Sequence, residues 1–142
     1  MFRVEQPVMF KHCDAAGIVF YPRYFEMMND CIETFFARVV GWPFKDIHLT
    51  GAVPTAEVRT RFRAPSRLGD ELTLLLGITR VGRTSCGFTI EADCAGEARF
   101  STELTLVNVD ENGRPTVWPD KAKQQMKQFE ESQGSGSARH AG

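Results

Sequence analysis

"HCDAAGIVFYPRYF" occupies His12–Phe25, and its two halves follow different rules. From His12 to Gly17 the residues are polar or small, with one carboxylate, Asp14, among Ala15, Ala16 and Gly17. From Tyr21 the pattern becomes helical: Phe25, Met28, Ile32, Phe35, Phe36 and Val39 recur at three- and four-residue spacing. Pro22 suits a first helical turn, where a missing N–H costs nothing, and Gly41 suits the end. The predicted helix is apolar around much of its circumference. Such a helix is wrapped by other structure rather than laid on a surface.

The remainder reads as strands. "VEQPVMF" alternates imperfectly, and Pro7 points to an edge or a bend. "VPTAEVRTRFRAPS" puts Val58, Phe62 and Ala64 on one side and Arg59, Arg61 and Arg63 on the other. "ELTLLLGITRV", "SCGFTIEADC" and "ARFSTELTLVNVD" are long strands joined by the short turns "GRT" and "AGE". After Pro119, "DKAKQQMKQFEES" reads as a polar helix with Asp120 as its cap. "QGSGSARHAG" has the composition of a disordered tail. The expected organisation is one α+β domain over residues 1–130 and a Gly/Ser-rich tail over 131–142. A curved antiparallel sheet of about five strands should wrap one long central helix. One sheet face and one edge are then left open, so a homodimer or a dimer of dimers is expected.

Composition excludes several classes. With 17 basic and 18 acidic residues the net charge is -1, too balanced for nucleic acid or an anionic membrane surface. The cysteines Cys13, Cys31, Cys86 and Cys94 form no C-x-x-C pair and read as free thiols. No zinc set is visible, so neither metal nor redox cofactor is expected. Arg3 and Glu5 interrupt the N-terminal apolar stretch, which rules out a signal peptide there, and no run approaches a membrane span. A cytoplasmic location is expected.

The His12–Phe25 stretch resembles the active-site segment of the hotdog-fold acyl-CoA thioesterases, closest to the 4-hydroxybenzoyl-CoA thioesterase group. That pattern is an Asp, two small residues, Gly-Ile-Val, an aromatic pair and Pro. Here it is Asp14, Ala15, Ala16, Gly17, Ile18, Val19, Phe20, Tyr21 and Pro22. The resemblance covers about residues 3 to 130 in strand order. It implies hydrolysis of a small aromatic acyl-CoA, with coenzyme A present only as part of the substrate. It also implies that the backbone N–H of Tyr21 polarises the thioester carbonyl. Close approach of backbone and acyl group at Gly17 follows, and the "RVGRTS" turn, with Arg80, Arg83 and Thr84, should hold the CoA phosphates. Relatives often have basic side chains where this chain has Gly82 and Thr84, and Arg83 keeps the charge. A second group of the fold carries its acid on the helix, for which Glu26, Asp30 and Glu33 are the candidates.

The chemistry agrees with the resemblance. A thioester needs a nucleophile, or a base for water, and donors for the carbonyl oxygen. Carboxylates ordinarily titrate near pH 4 and are anionic at neutral pH. The free N–H groups of a helix start supply donors, aided by the helix dipole. Asp14 is therefore the expected nucleophile or general base, although a turn or capping carboxylate is the plain alternative. Cys13 should point away from Asp14, because neighbours in extended chain face opposite sides. Tyr24, Asn29 and Asp30 are candidate polar groups for an acyl pocket. Two rival functions remain at this stage: an acyl-CoA-binding protein without catalysis, and a hotdog dehydratase using His12 or His48 with an acid.

Overall fold

A computed structural model describes residues 1–141, with side chains through Gln133. β1 (Phe2–Pro7) is followed by a short 3-10 turn (Phe10–His12) and by α1 (Tyr21–Phe35). α1 widens into a π turn at Phe36–Val40. The N–H groups of Gly41 and Trp42 both donate to the Phe36 carbonyl, and Gly41 adopts φ +74°, a conformation that favours glycine. A single-turn α2 (Phe44–Ile47) leads to β2 (Gly51–Ala52), β3 (Thr55–Phe62), β4 (Glu71–Val81), β5 (Ser85–Cys94), β6 (Glu97–Val107) and β7 (Val109–Asp110). α3 spans Asp120–Ala141.

Five strands form one antiparallel sheet in the order β1-β4-β5-β6-β3, and β2 and β7 form a separate two-stranded ribbon. This is the expected α+β hotdog arrangement. Pro7 lies on an edge strand, where its missing N–H breaks no ladder. The ribbon was not foreseen: two-residue strands carry too little pattern to detect.

The core is aromatic. Phe35 is fully buried and meets Phe2, Phe36, Phe88 and Phe129 at ring separations of 4.9 to 6.2 Å. Leu72, Leu74, Leu76 and Ile78 of β4 and Phe88 and Ile90 of β5 supply the sheet side of the core. One expectation needs correction. α1 is not wrapped on every side: Arg23, Glu26, Asn29, Asp30 and Glu33 lie on an exposed side, continued by Arg38 in the π turn. In line with the open edge expected, Val58 and Phe62 of β3 are each more than 40% exposed. β3 is an edge strand of the sheet, and among the described residues no further strand pairs beyond it.

The domain boundary expected at residue 130 also falls inside an element. β1 ends its pairing at Phe2 opposite Leu76, which leaves Ile78 with an open backbone edge. The Gln133 amide fills it: its Oε1 accepts from the Ile78 N–H at 2.8 Å and its Nε2 donates to the Ile78 carbonyl. α3 runs on to Ala141 through most of the stretch expected to be a tail, and Gly142 lies outside the described residues.

Candidate active site

The acid sits in a small closed loop. Cys13 pairs with Val19 across a turn in which Asp14 N–H donates to Ile18 O at 2.9 Å and Gly17 N–H donates to Asp14 O at 3.0 Å. The turn needs φ +82° at Gly17, the left-handed region glycine occupies without strain. Ala16 N–H donates to Asp14 Oδ1 at 2.9 Å. Among the described residues no hydrogen bond engages the second carboxylate oxygen, and Asp14 is exposed. The carboxylate is therefore fixed by one oxygen and open at the other. Cys13 turns the other way, with Sγ 3.7 Å from Met9 O.

The loop passes into α1 through Phe20, whose φ of -70° and ψ of 123° form an extended N-cap without a side-chain cap. Phe20 N–H returns to His12 O, and Arg23 N–H donates to Phe20 O. Pro22 has no N–H to offer. Among the described residues no acceptor takes the Tyr21 N–H, so it remains a donor at the positive end of the helix.

Beside this N–H runs an apolar groove of about 570 Å³, lined by Ile18, Val19, Tyr21, Tyr24, Phe62 and Pro65 among others. Phe62 makes ring contacts with Tyr21 at 6.2 Å, Tyr24 at 5.6 Å and Phe25 at 6.2 Å. Further along α1 a smaller apolar hollow of about 280 Å³ holds Asn29 beside Phe25, Met28, Val58 and Leu104. Tyr24 and Asn29 thus border apolar hollows. Asp30 and Glu33 lie on the exposed side of α1, and Glu26 is held by Arg23 at 2.8 Å. The importance of Phe62 was hidden in its sequence, where it appears only as one apolar step in "VRTRF".

Neither His12 nor His48 is hydrogen-bonded to a carboxylate. His12 is buried, and its Nδ1 accepts from Met9 N–H at 2.9 Å. Burial, followed by the charge of Lys11, lowers its pKa. His48 Nδ1 lies 2.7 Å from Phe44 O on α2. The buried thiols Cys31 and Cys86 are pushed up to about 12 by burial, which removes them as nucleophiles.

His12 sets a pH dependence. Its unfolded form takes a proton below about pH 6.5, while the folded ring holds out to lower pH. Stability from this group is present above that range and is lost as pH falls through the depressed folded value. His12→Asn keeps an acceptor for Met9 N–H without titrating. The fall in melting temperature between pH 7 and pH 5 should be smaller in the variant. An identical fall in both proteins would remove His12 from this role.

The turn expected to hold phosphates lies elsewhere. β4 starts beside Pro7, near the Asp14 loop, and ends at Val81, where Arg80, Arg83 and Thr84 form the turn to β5. That length of strand is about 30 Å, so the two groups occupy opposite ends of the sheet in one chain. The turn is well anchored: Gly82 N–H donates to Ser85 O at 2.8 Å, Asn108 N–H to Thr84 O at 2.7 Å, and Trp118 N–H to Arg83 O at 3.3 Å. Arg80 reaches Ser85 Oγ at 3.2 Å, while the Arg83 side chain is exposed. Arg59, Arg61 and Arg63 share one hollow of about 370 Å³ with Glu91 and Glu103, as their alternation predicts.

Residues 8–126 match the thioesterase-like superfamily. The chain belongs to that superfamily. Membership carries the enzyme class, a thioester hydrolase. A 1,4-dihydroxy-2-naphthoyl-CoA thioesterase from Synechocystis superposes with a TM-score of 0.82 at 19% identity, covering 89% of this chain and 95% of that one. A gentisyl-coenzyme A thioesterase superposes at 0.81 with 22% identity, covering 88% and 99%. A Staphylococcus aureus protein solved in complex with CoA reaches 0.85 at 17% identity, covering 92% and 84%. At these identities the likeness shows the fold. Among curated protein sequences none matches the chain. Among the described residues of this thioesterase no helix is long and apolar enough to cross a membrane.

Proposed function

We propose that this thioesterase hydrolyses a small aromatic acyl-CoA, of the 4-hydroxybenzoyl or benzoyl type, to the free acid and CoA. The observation that carries the reading is the Asp14 carboxylate, held by one oxygen, on the loop that leads into a helix start with an unengaged Tyr21 N–H and an aromatic-lined groove. The Tyr21 N–H polarises the thioester carbonyl. Asp14 then attacks the carbonyl carbon and expels CoA thiolate, leaving a mixed anhydride for water to cleave, or it takes a proton from the water that attacks directly. The acyl ring stacks among Tyr21, Tyr24 and Phe62, and Gly17 keeps the loop tight beside it. Neither route uses a metal or redox cofactor.

The site is completed by a second copy. The open edge and half-exposed apolar residues of β3 suit pairing with another chain in a dimer or a dimer of dimers. Only another chain can bring Arg83 near an Asp14 that lies at the opposite end of its own sheet. The Synechocystis and gentisyl-CoA relatives support an aromatic acyl group by name, and the Staphylococcus aureus complex supports CoA as the carrier.

A panel of aromatic and aliphatic acyl-CoAs, followed by free-thiol release, tests the reading. Turnover should be greatest for the small aromatic members. Binding without release across the panel would favour a carrier. Arg83→Ala should raise KM for acyl-CoA about ten- to hundredfold, the scale of a charged hydrogen bond. Its kcat should hold, because the phosphates lie far from the reacting carbon and are bound equally in ground and transition states. An acyl-pantetheine lacking the nucleotide should be indifferent to the change. Equal losses on both substrates would assign Arg83 to assembly instead.

A further inference from the structure

The segment between β3 and β4, residues 63–70, is tied to both ends of the Asp14 loop. Before the loop, Val8 N–H donates to Asp70 O at 2.8 Å and Gly69 N–H donates to Val8 O at 3.2 Å. After it, Val19 N–H donates to Ser66 O at 2.8 Å, and Ile18 pairs with Arg67. The Asp14 turn is thus suspended between two points on one segment. Arg63, Ala64 and Pro65 of the same segment line the acyl groove.

One buried cation fastens that segment. Arg99, near the start of β6, has a side chain only 10% exposed. Its Nη1 donates to Asp70 Oδ2 at 2.7 Å, to Ser66 Oγ at 3.1 Å and to Pro65 O at 3.1 Å. Asp70 Oδ2 also accepts from Arg67 N–H at 2.9 Å. The backbone adds a further tie, Arg63 N–H to Arg99 O at 2.8 Å. Arg99 Nε lies 2.9 Å from Glu97 Oε1 but out of line for a hydrogen bond. Arg67 N–H and then Arg99 hold the Asp70 carboxyl below its usual range, and Asp70 in turn raises the Arg99 pKa. A sheet residue requires none of this for its own strand. The side chain's hydrogen bonds converge on the segment that carries the reaction loop.

We infer that Arg99 is a positioning residue for thioester hydrolysis: through Ser66 and Asp70 it sets where the Asp14 carboxylate stands relative to the Tyr21 N–H. This rests on the reading of Asp14 and Tyr21 proposed above. A guanidinium spans several acceptors with fixed geometry, which a Lys ammonium reproduces only in part. Removing it leaves Asp70 without its cation and the brace free to shift. Misplacement of a reacting group by about 1 Å costs on the order of a hundredfold in rate.

The test uses the full chain with Arg99→Met, Arg99→Lys and, as a second route to the same contact, Asp70→Asn. With 4-hydroxybenzoyl-CoA, Arg99→Met should lower kcat about ten- to hundredfold and leave KM within about twofold, and Arg99→Lys should recover part of the loss. In an Asp14→Asn background the same changes should have no further effect on the residual rate. Hydrogen exchange should accelerate in peptides covering 14–20 and 64–70 while β4 and β5 keep their protection. Exchange rising evenly through β4 and β5 would overturn the proposal, as would loop exchange rising with kcat unchanged. The exchange measurement needs no substrate. Loop loosening in a protein whose Asp14→Asn variant is fully active would sink the reaction reading while leaving Arg99's hold on the loop intact.

Discussion

Asp14→Asn should lower thioester hydrolysis by at least about a hundredfold, the scale of a positioned acid–base group, and leave the fold in place. The two parts of this expectation have different sources. The amide is a poor nucleophile and a poor base, so the chemical role is lost. The turn survives because the new side chain keeps an oxygen to accept from Ala16 N–H, and the Asp14 N–H and carbonyl bonds to Ile18 and Gly17 are untouched. Melting temperature and oligomeric state should match the parent, which separates lost chemistry from lost structure. Activity close to the parent's would return Asp14 to a turn-forming role. Glu26 and Asp30 on the exposed side of α1 would then be tested with a partner chain in view.

Removing the Tyr21 N–H should be equally costly, and the local backbone allows it to be removed cleanly. Phe20 already has the extended conformation required of a residue before proline, and Tyr21 is the first helical residue, where proline is well accepted. Tyr21→Pro deletes one donor without breaking a helical bond. The expected loss is about 10²- to 10³-fold in kcat, the scale of one oxyanion donor. Tyr21→Ala is the control: it removes the ring, with its 6.2 Å contact to Phe62, but keeps the N–H. It should change KM more than kcat. If the Pro and Ala variants were equally active, the carbonyl oxygen would be bound elsewhere.

The reaction loop and the helix that follows it were legible in the sequence because their determinants are local. Gly17 provides a left-handed turn, Pro22 an allowed helix start, and Gly41 a left-handed stop, each within a few residues of the feature it governs. The long strands were legible for the same reason, since alternation is a property of adjacent residues. Arg59, Arg61 and Arg63 fall on one face as it requires.

The exposed side of α1 was misread because a high density of apolar residues says how much a helix can bury. It does not say what lies over each side, and Glu26, Asn29 and Glu33 had to be placed in space to show the open face. Gln133 was assigned to a tail on composition, yet it completes the edge of β4 at Ile78, a residue 55 positions away in sequence.

By itself, then, the sequence determined the α+β class, the order of the long strands and the two long helices, and an acid placed before a helix start. Those depend on short-range backbone preferences and on burial periodicity. Tertiary structure alone decided that Phe62 closes the groove beside Tyr21, and that Asp14 and Arg83 lie at opposite ends of the sheet. It also decided that Arg99 fastens the segment holding the loop. Each of these joins residues tens of positions apart. Strand order in the sheet sets such distances, and it is chosen by which apolar faces pack best together, a global property no local pattern records.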